Sequence, residues 1–205
     1  MRRFKKINQL LFLAAGLFIL SGCMIDPHEI KKQTDQLEDK LNGMTNSAEA
    51  NSFPILKKIP VQLARSIDGD TSDFLLNGET IRVRYLLIDT PETVQPGVSV
   101  QPFGKEASDR TKGLLENASV IEIMFDRGDQ KEKTIDRKPR TLVYVFVDGK
   151  LVQDILVREG LARIAYVSES NTTYLEQLTA SENIARSQGV GIWSLKGYVT
   201  ERGFN

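Results

Sequence analysis

Two short stretches, Asp68-Gly69-Asp70-Thr71 and Asp89-Thr90-Pro91-Glu92, put four carboxylates close together in the chain, with Arg84 between them. Asp-Gly is a turn signal, and the runs on either side read as strands. A turn and a strand end would make Asp70 and Asp89 neighbours. Two carboxylates that meet with no lysine between them repel, so a cation is expected to join them. Hard oxygen ligands suit calcium or magnesium. The chemistry implied is metal-assisted cleavage of a phosphodiester.

Composition narrows the alternatives. The chain of 205 residues has one cysteine, Cys23, and one histidine, His28. An intrachain disulfide, a cysteine-based zinc site and Ser-His-Asp or Cys-His catalysis are thereby excluded. A catalyst here works with carboxylates, arginine, lysine, tyrosine and a metal. Net charge is zero, with 27 basic and 27 acidic residues. Without the four basic residues of the first 22, there remain 23 basic against 27 acidic, a net charge of −4. Attraction to phosphate must therefore be local rather than global.

The elements that position these residues can be read in order. Ile59 to Ile67 alternates as a first strand, and Phe74 to Leu76 gives a second. Asn77-Gly78 is a hairpin signal, and Thr80 to Ile88 is a third strand. Phe103, Ala107, Thr111, Leu114 and Leu115 fall on one helical face. Ser119 to Phe125 alternates as a fourth strand, and charged residues 126–140 read as a loop. Thr141 to Val147 is a fifth strand, closed by Asp148-Gly149. A short helix from Val152 stops at Gly160, Leu161 to Val167 is extended, and Tyr174 to Gln188 is a last helix. Five strands with a helix inserted predict an α+β protein built on a five-stranded Greek-key barrel of OB type, with about three helices.

Ahead of this domain, Ile7 to Leu20 is an apolar run of signal-peptide length, preceded by basic residues. It ends Leu20-Ser21-Gly22-Cys23, which resembles a bacterial lipoprotein lipobox. That resemblance implies a signal peptide over 1–22 and a lipid anchor on Cys23, with the protein held on the extracytoplasmic face of the cell membrane. Residues 23–54 read as a polar tether, in which Ile30, Leu37, Leu41 and Met44 have helical spacing. The folded domain is expected over 55–205.

Several motifs resemble the thermonuclease (staphylococcal nuclease) family. They are Asp68 to Thr71, Arg84 to Thr93, Phe103 to Ser108, Val145 to Lys150, Leu156 to Ala162, Ala165-Tyr166-Val167 and Ile192-Trp193-Ser194. The resemblance implies an OB-fold barrel and calcium-dependent cleavage of DNA and RNA with little sequence specificity, leaving 3′-phosphate ends. It implies Asp70, Asp89 and the Thr90 carbonyl as calcium ligands, with Asp68 adding negative field. Glu92 corresponds to the general base, or to the residue that positions water. Arg84 and Arg140 correspond to the phosphate-binding arginines, and Tyr166 is expected to stack on a base or to pack on the barrel. Where the family has Tyr-Gly, Lys138-Pro139 precede Arg140, so a cation, Lys138, replaces the tyrosine near the terminal phosphate, and a weaker grip on that group or a changed preference is expected rather than loss of cleavage. A monomer with no protein partner is expected. The rival reading is a non-catalytic OB lipoprotein that binds nucleic acid or protein. Strict alternation also places Arg84 and Asp89 on opposite faces of one strand unless the chain bends between them.

Overall fold

The computed structural model describes Thr34, Gln36, Leu37 and residues 53–93, 99–133 and 139–205. Cys23, His28 and Lys138 lie outside the described residues. The chain divides into two units, Met1–Ser52 and Phe53–Asn205. In the first, the described residues Thr34, Gln36 and Leu37 are helical.

The second unit carries β1 (Lys58–Ser66), β2 (Thr71–Leu76), β3 (Glu79–Tyr85), β4 (Ile88–Asp89), α1 (Gly104–Glu116), β5 (Ile121–Met124) and β6 (Thr141–Val147). These are followed by β7 (Lys150–Leu151), α2 (Val152–Arg158), β8 (Arg163–Ile164), α3 (Leu175–Gln188), a 3-10 turn (Gly191–Ser194), β9 (Val199–Thr200) and β10 (Gly203–Phe204). The main sheet runs β3-β2-β1-β5-β6-β7, and β3 also pairs with β6. That last pairing is parallel, with Arg84 opposite Leu142, and it closes five strands into the expected barrel. β1 makes closure feasible. Its first half pairs with β5 and its second half with β2, with a register break between Leu63 and Arg65. Such a break bends a strand around a barrel corner.

The core strand β6 is buried on both faces, since Tyr144 and Phe146 on its outer face pack against Tyr174. Phe74, Val83, Ile123, Val143 and Val145 are fully buried, and Ala107, Thr111 and Leu115 turn one face of α1 inward. Asn77-Gly78 and Asp148-Gly149 both take positive φ at both residues, the conformation that matches the twist of a two-residue hairpin. Three expectations need correction. The third strand stops at Tyr85 rather than Ile88, because Leu87 takes φ 67° and turns the chain. The extended run from Leu161 pairs as a strand only at Arg163–Ile164. A C-terminal hairpin, β9 and β10, follows the last helix.

Asp126 fastens α3 to the barrel. Its carboxylate accepts from the Tyr144 hydroxyl (2.9 Å), the Thr173 amide (3.0 Å) and the Thr173 hydroxyl (2.7 Å). Burial works to raise this carboxyl, but the hydrogen bonds from Thr173, Arg127 and Tyr144 hold it below the usual range. A depressed carboxyl stabilises the fold fully above the unfolded value of about 3.9, and that contribution fades as pH falls through the lower folded value. Asp126→Asn is therefore expected to cost about 2 kcal/mol at pH 7. Urea denaturation should show the gap from the parent narrowing as pH drops below about 4.

Candidate functional site

Arg84 lies opposite Thr71 in the β2–β3 ladder, one residue beyond Asp70. The Tyr85 amide donates to the Asp70 carbonyl at 2.9 Å, which ties the Asp68–Asp70 turn to the end of β3. The bend at Leu86–Leu87 then brings Asp89 back to the same side as Arg84. Arg84 Nη1 pairs with Asp70 Oδ1, Nη2 lies 3.2 Å from Asp89 Oδ1, and Nη2 also donates to the Ile88 carbonyl at 3.3 Å. A positive φ at a leucine is uncommon and strained, and here it resolves the conflict with strict alternation.

Asp70 is held from three sides. Besides Arg84, it accepts from the Thr90 amide (Oδ2, 3.0 Å) and the Thr71 hydroxyl (Oδ1, 3.1 Å). Close packing fixes the two loops against each other. A Cβ on Gly69 would lie 2.6 Å from Thr90 Oγ1, and the Thr111 hydroxyl of α1 donates to the Gly69 carbonyl at 2.7 Å. Glu92 is clamped through its backbone: its amide donates to Gln101 Oε1 (2.8 Å) and its carbonyl accepts from the Gln101 amide (3.0 Å). A Cβ on Gly104 would come within 2.8 Å of that carbonyl, so only glycine lets the start of α1 approach this closely.

Negative charge is concentrated here. Burial raises the Asp68 carboxyl, opposed by Arg84 and by hydrogen bonding from Thr71. Burial also raises Glu92, and Asp68 and Asp89 push it further up. Burial pulls the Arg84 guanidinium down while Asp89 draws it back. Arg140 reaches the cluster less directly. Its Nη1 lies 3.4 Å from the Thr71 hydroxyl, while Nε and Nη2 hold Glu132, Nε at 2.7 Å. Tyr166 does not pack on the barrel. It sits at φ 53° with 71% of its surface exposed, and the Arg84 guanidinium lies 5.4 Å from its ring centre.

The sequence reading missed Arg163. It stands opposite Asp89 in the β4–β8 pair and grips Asp89 Oδ2 through Nε (3.0 Å) and Nη2 (2.9 Å). The available signal was an arginine among Ala162, Ile164 and Ala165, a charge in a run otherwise suited to a core. The C-terminal hairpin was missed too, and it braces both sides of the site. The Phe204 ring lies 5.7 Å from the Arg163 guanidinium, and the Tyr198 hydroxyl donates to the Pro102 carbonyl (2.7 Å), next to Gln101. Removing one member of a buried ion pair strands its partner. Since Asp89 keeps Arg84, Arg163→Gln is expected to cost about 2–3 kcal/mol, less than a lone broken pair. Denaturant midpoints at pH 7 measure this.

The donors are hard oxygens of the kind that suits calcium. Among the described residues, no group of three or more Asp, Glu, His or Cys side chains is placed to hold a metal ion. A cation between Asp70 and Asp89 would thus complete its shell with neutral oxygens such as the Thr90 carbonyl, water and substrate. In donor type the residues suit a hard divalent ion, but in this structure the cation that joins Asp70 to Asp89 is Arg84, and Arg163 holds the second Asp89 oxygen.

A family model described as "Staphylococcal nuclease homologue" matches residues 82–195. Endonuclease YncB of Bacillus subtilis (strain 168) is 50% identical over 149 residues, covering 73% of this chain and 68% of the relative. The SPbeta prophage-derived endonuclease YokF of the same organism is 50% identical over 147 residues, 72% of this chain, which spans only 48% of that relative. The thermonuclease of Staphylococcus hyicus is 33% identical over 191 residues, covering 93% of this chain and 99% of the relative.

Proposed function

Because the chain belongs to the staphylococcal nuclease family, a family of hydrolytic nucleases, we propose that it is a calcium-dependent phosphodiesterase. It cuts DNA and RNA with little sequence specificity and leaves 3′-phosphate ends. The observation that carries this reading is the convergence of Asp70, Asp89, Glu92, Arg84 and Arg140 on one end of the barrel.

Asp70, Asp89 and the Thr90 carbonyl would hold calcium, which when bound supplies positive charge to phosphate oxygens as they gain charge. Glu92 orients the attacking water and accepts its proton, as an ionised carboxylate can. Arg84 and Arg140 would offer planar guanidinium forks to the phosphate in exchange for their carboxylate partners, Asp70 and Asp89 for Arg84 and Glu132 for Arg140. As charge builds on the equatorial oxygens, these arginines stabilise it, and the 5′-oxygen leaves. Tyr166, exposed beside Arg84, stacks on a base, which every base allows. Lys138 adds a cation toward a terminal phosphate. Contacts to phosphate and sugar carry no base code, hence the low specificity.

The chain acts as a monomer anchored through a lipid on Cys23 at the extracytoplasmic face of the membrane. Digestion of a defined oligonucleotide with calcium, with and without chelator, followed by end-group analysis, tests the activity. Cleavage to 3′-phosphate ends only with calcium supports it. Retained binding without cleavage makes the protein a non-catalytic nucleic-acid binder instead.

A further inference from the structure

Arg163 and Tyr166 also line a second cleft, of about 640 Å³, whose other walls include Arg186, Trp193, Glu201 and Arg202. This volume lies in the range that encloses a drug-sized molecule, the scale of a nucleotide or two. The cleft is continuous with the catalytic cluster through two residues. Arg163 holds Asp89 at 2.9 Å, and the exposed Tyr166 ring faces Arg84. Arg186 and Arg202 are the exposed cations of the cleft, against one acid, Glu201, while Arg163 is buried and committed to Asp89. Arg186 stacks over Trp193, its guanidinium 4.2 Å from the ring centre, and its Nη2 pairs with Glu182 at 3.2 Å. Arg202 projects from the β9–β10 turn and is exposed.

We infer that this cleft binds the nucleotides adjoining the cleaved bond on a single strand of DNA or RNA. The inference rests on the nuclease reading for its neighbour site, and it adds where the rest of the strand runs. Cationic side chains interleaved with aromatic rings are what sequence-tolerant single-strand binding needs. The rings require unstacked bases, so the occupant is a single strand rather than a duplex. The two exposed arginines, Arg186 and Arg202, meet successive phosphates without reading bases.

Trp193 is the only tryptophan, so intrinsic fluorescence reports on this cleft. The full chain is titrated in chelator, where no cleavage occurs, with thymidine oligonucleotides of two and eight residues. A saturable change that is tighter for the longer strand is expected, with affinity falling as salt rises. Each of Arg186→Ala and Arg202→Ala should weaken the longer strand about tenfold and reduce the slope of log affinity against log salt by about 0.7. Both side chains are exposed, so the variants should fold. An absent fluorescence change, equal affinity for both lengths, or unaltered affinity in both variants would overturn the inference. The digestion assay is scored separately. A chain that binds this way but never cuts refutes the nuclease reading alone, and one that cuts without length-dependent binding refutes the cleft alone.

Discussion

Glu92→Gln is expected to lower turnover on single-stranded DNA with calcium by about 10²- to 10⁴-fold, the range for a lost general base. The substitution keeps the shape of the side chain and removes its negative charge and its capacity to accept a proton. The loop itself is held through the backbone, by the two hydrogen bonds to Gln101 and the close approach of Gly104. Stability should therefore stay within about 0.5 kcal/mol of the parent. Single-turnover cleavage of an end-labelled oligonucleotide separates the chemical step from binding. A rate within a few-fold of the parent would remove Glu92 from the reaction.

Arg84→Gln is expected to do two things at once. Turnover should fall by about 10²- to 10³-fold, as when a charge-stabilising donor is lost at a reacting centre. Stability should fall as well, by about 3 kcal/mol, because Asp70 loses its only ion-pair partner among the described residues. Asp89 is cushioned by Arg163. Arg84→Lys should restore part of the stability and little of the rate, since an ammonium cannot offer a fork to two carboxylates or to a phosphate. Added calcium should raise the melting temperature of Arg84→Gln more than that of the parent, because binding to the native state stabilises it and the variant has uncovered two acids. Thermal melts with and without calcium read this without any cleavage. Equal calcium shifts in parent and variant would separate the Asp70–Asp89 pair from metal binding.

Much of the barrel is written in local signals. Asn77-Gly78 and Asp148-Gly149 announce their hairpins because few residue pairs tolerate two successive positive φ angles. The alternation of Ser119 to Phe125 marks Ile121 and Ile123 as inward, whereas β6 is buried on both faces and carries no such signal. The carboxylates were legible for the same reason: Asp-Gly and Asp-Thr-Pro are turn chemistry beside strands. The bend at Leu87 was not, since nothing about a leucine foretells φ 67°. Tertiary packing imposes it, and only with the bend does Arg84 meet Asp89. Arg163 escaped for another reason. Its partner Asp89 is 74 residues away, and pairing across such a distance leaves no periodic trace. The two-residue strands β9 and β10 are too short for alternation to register.

That terminal hairpin has a consequence for how the molecule comes into being. Ribosomes deliver Asp70 and Glu92 early and Tyr198 and Phe204 late. Until the late pair emerges, the Arg163 guanidinium lacks its aromatic backing and the Pro102 carbonyl lacks its donor. A chain stopped short of this hairpin would keep Asp70, Asp89 and Glu92 and lose both braces.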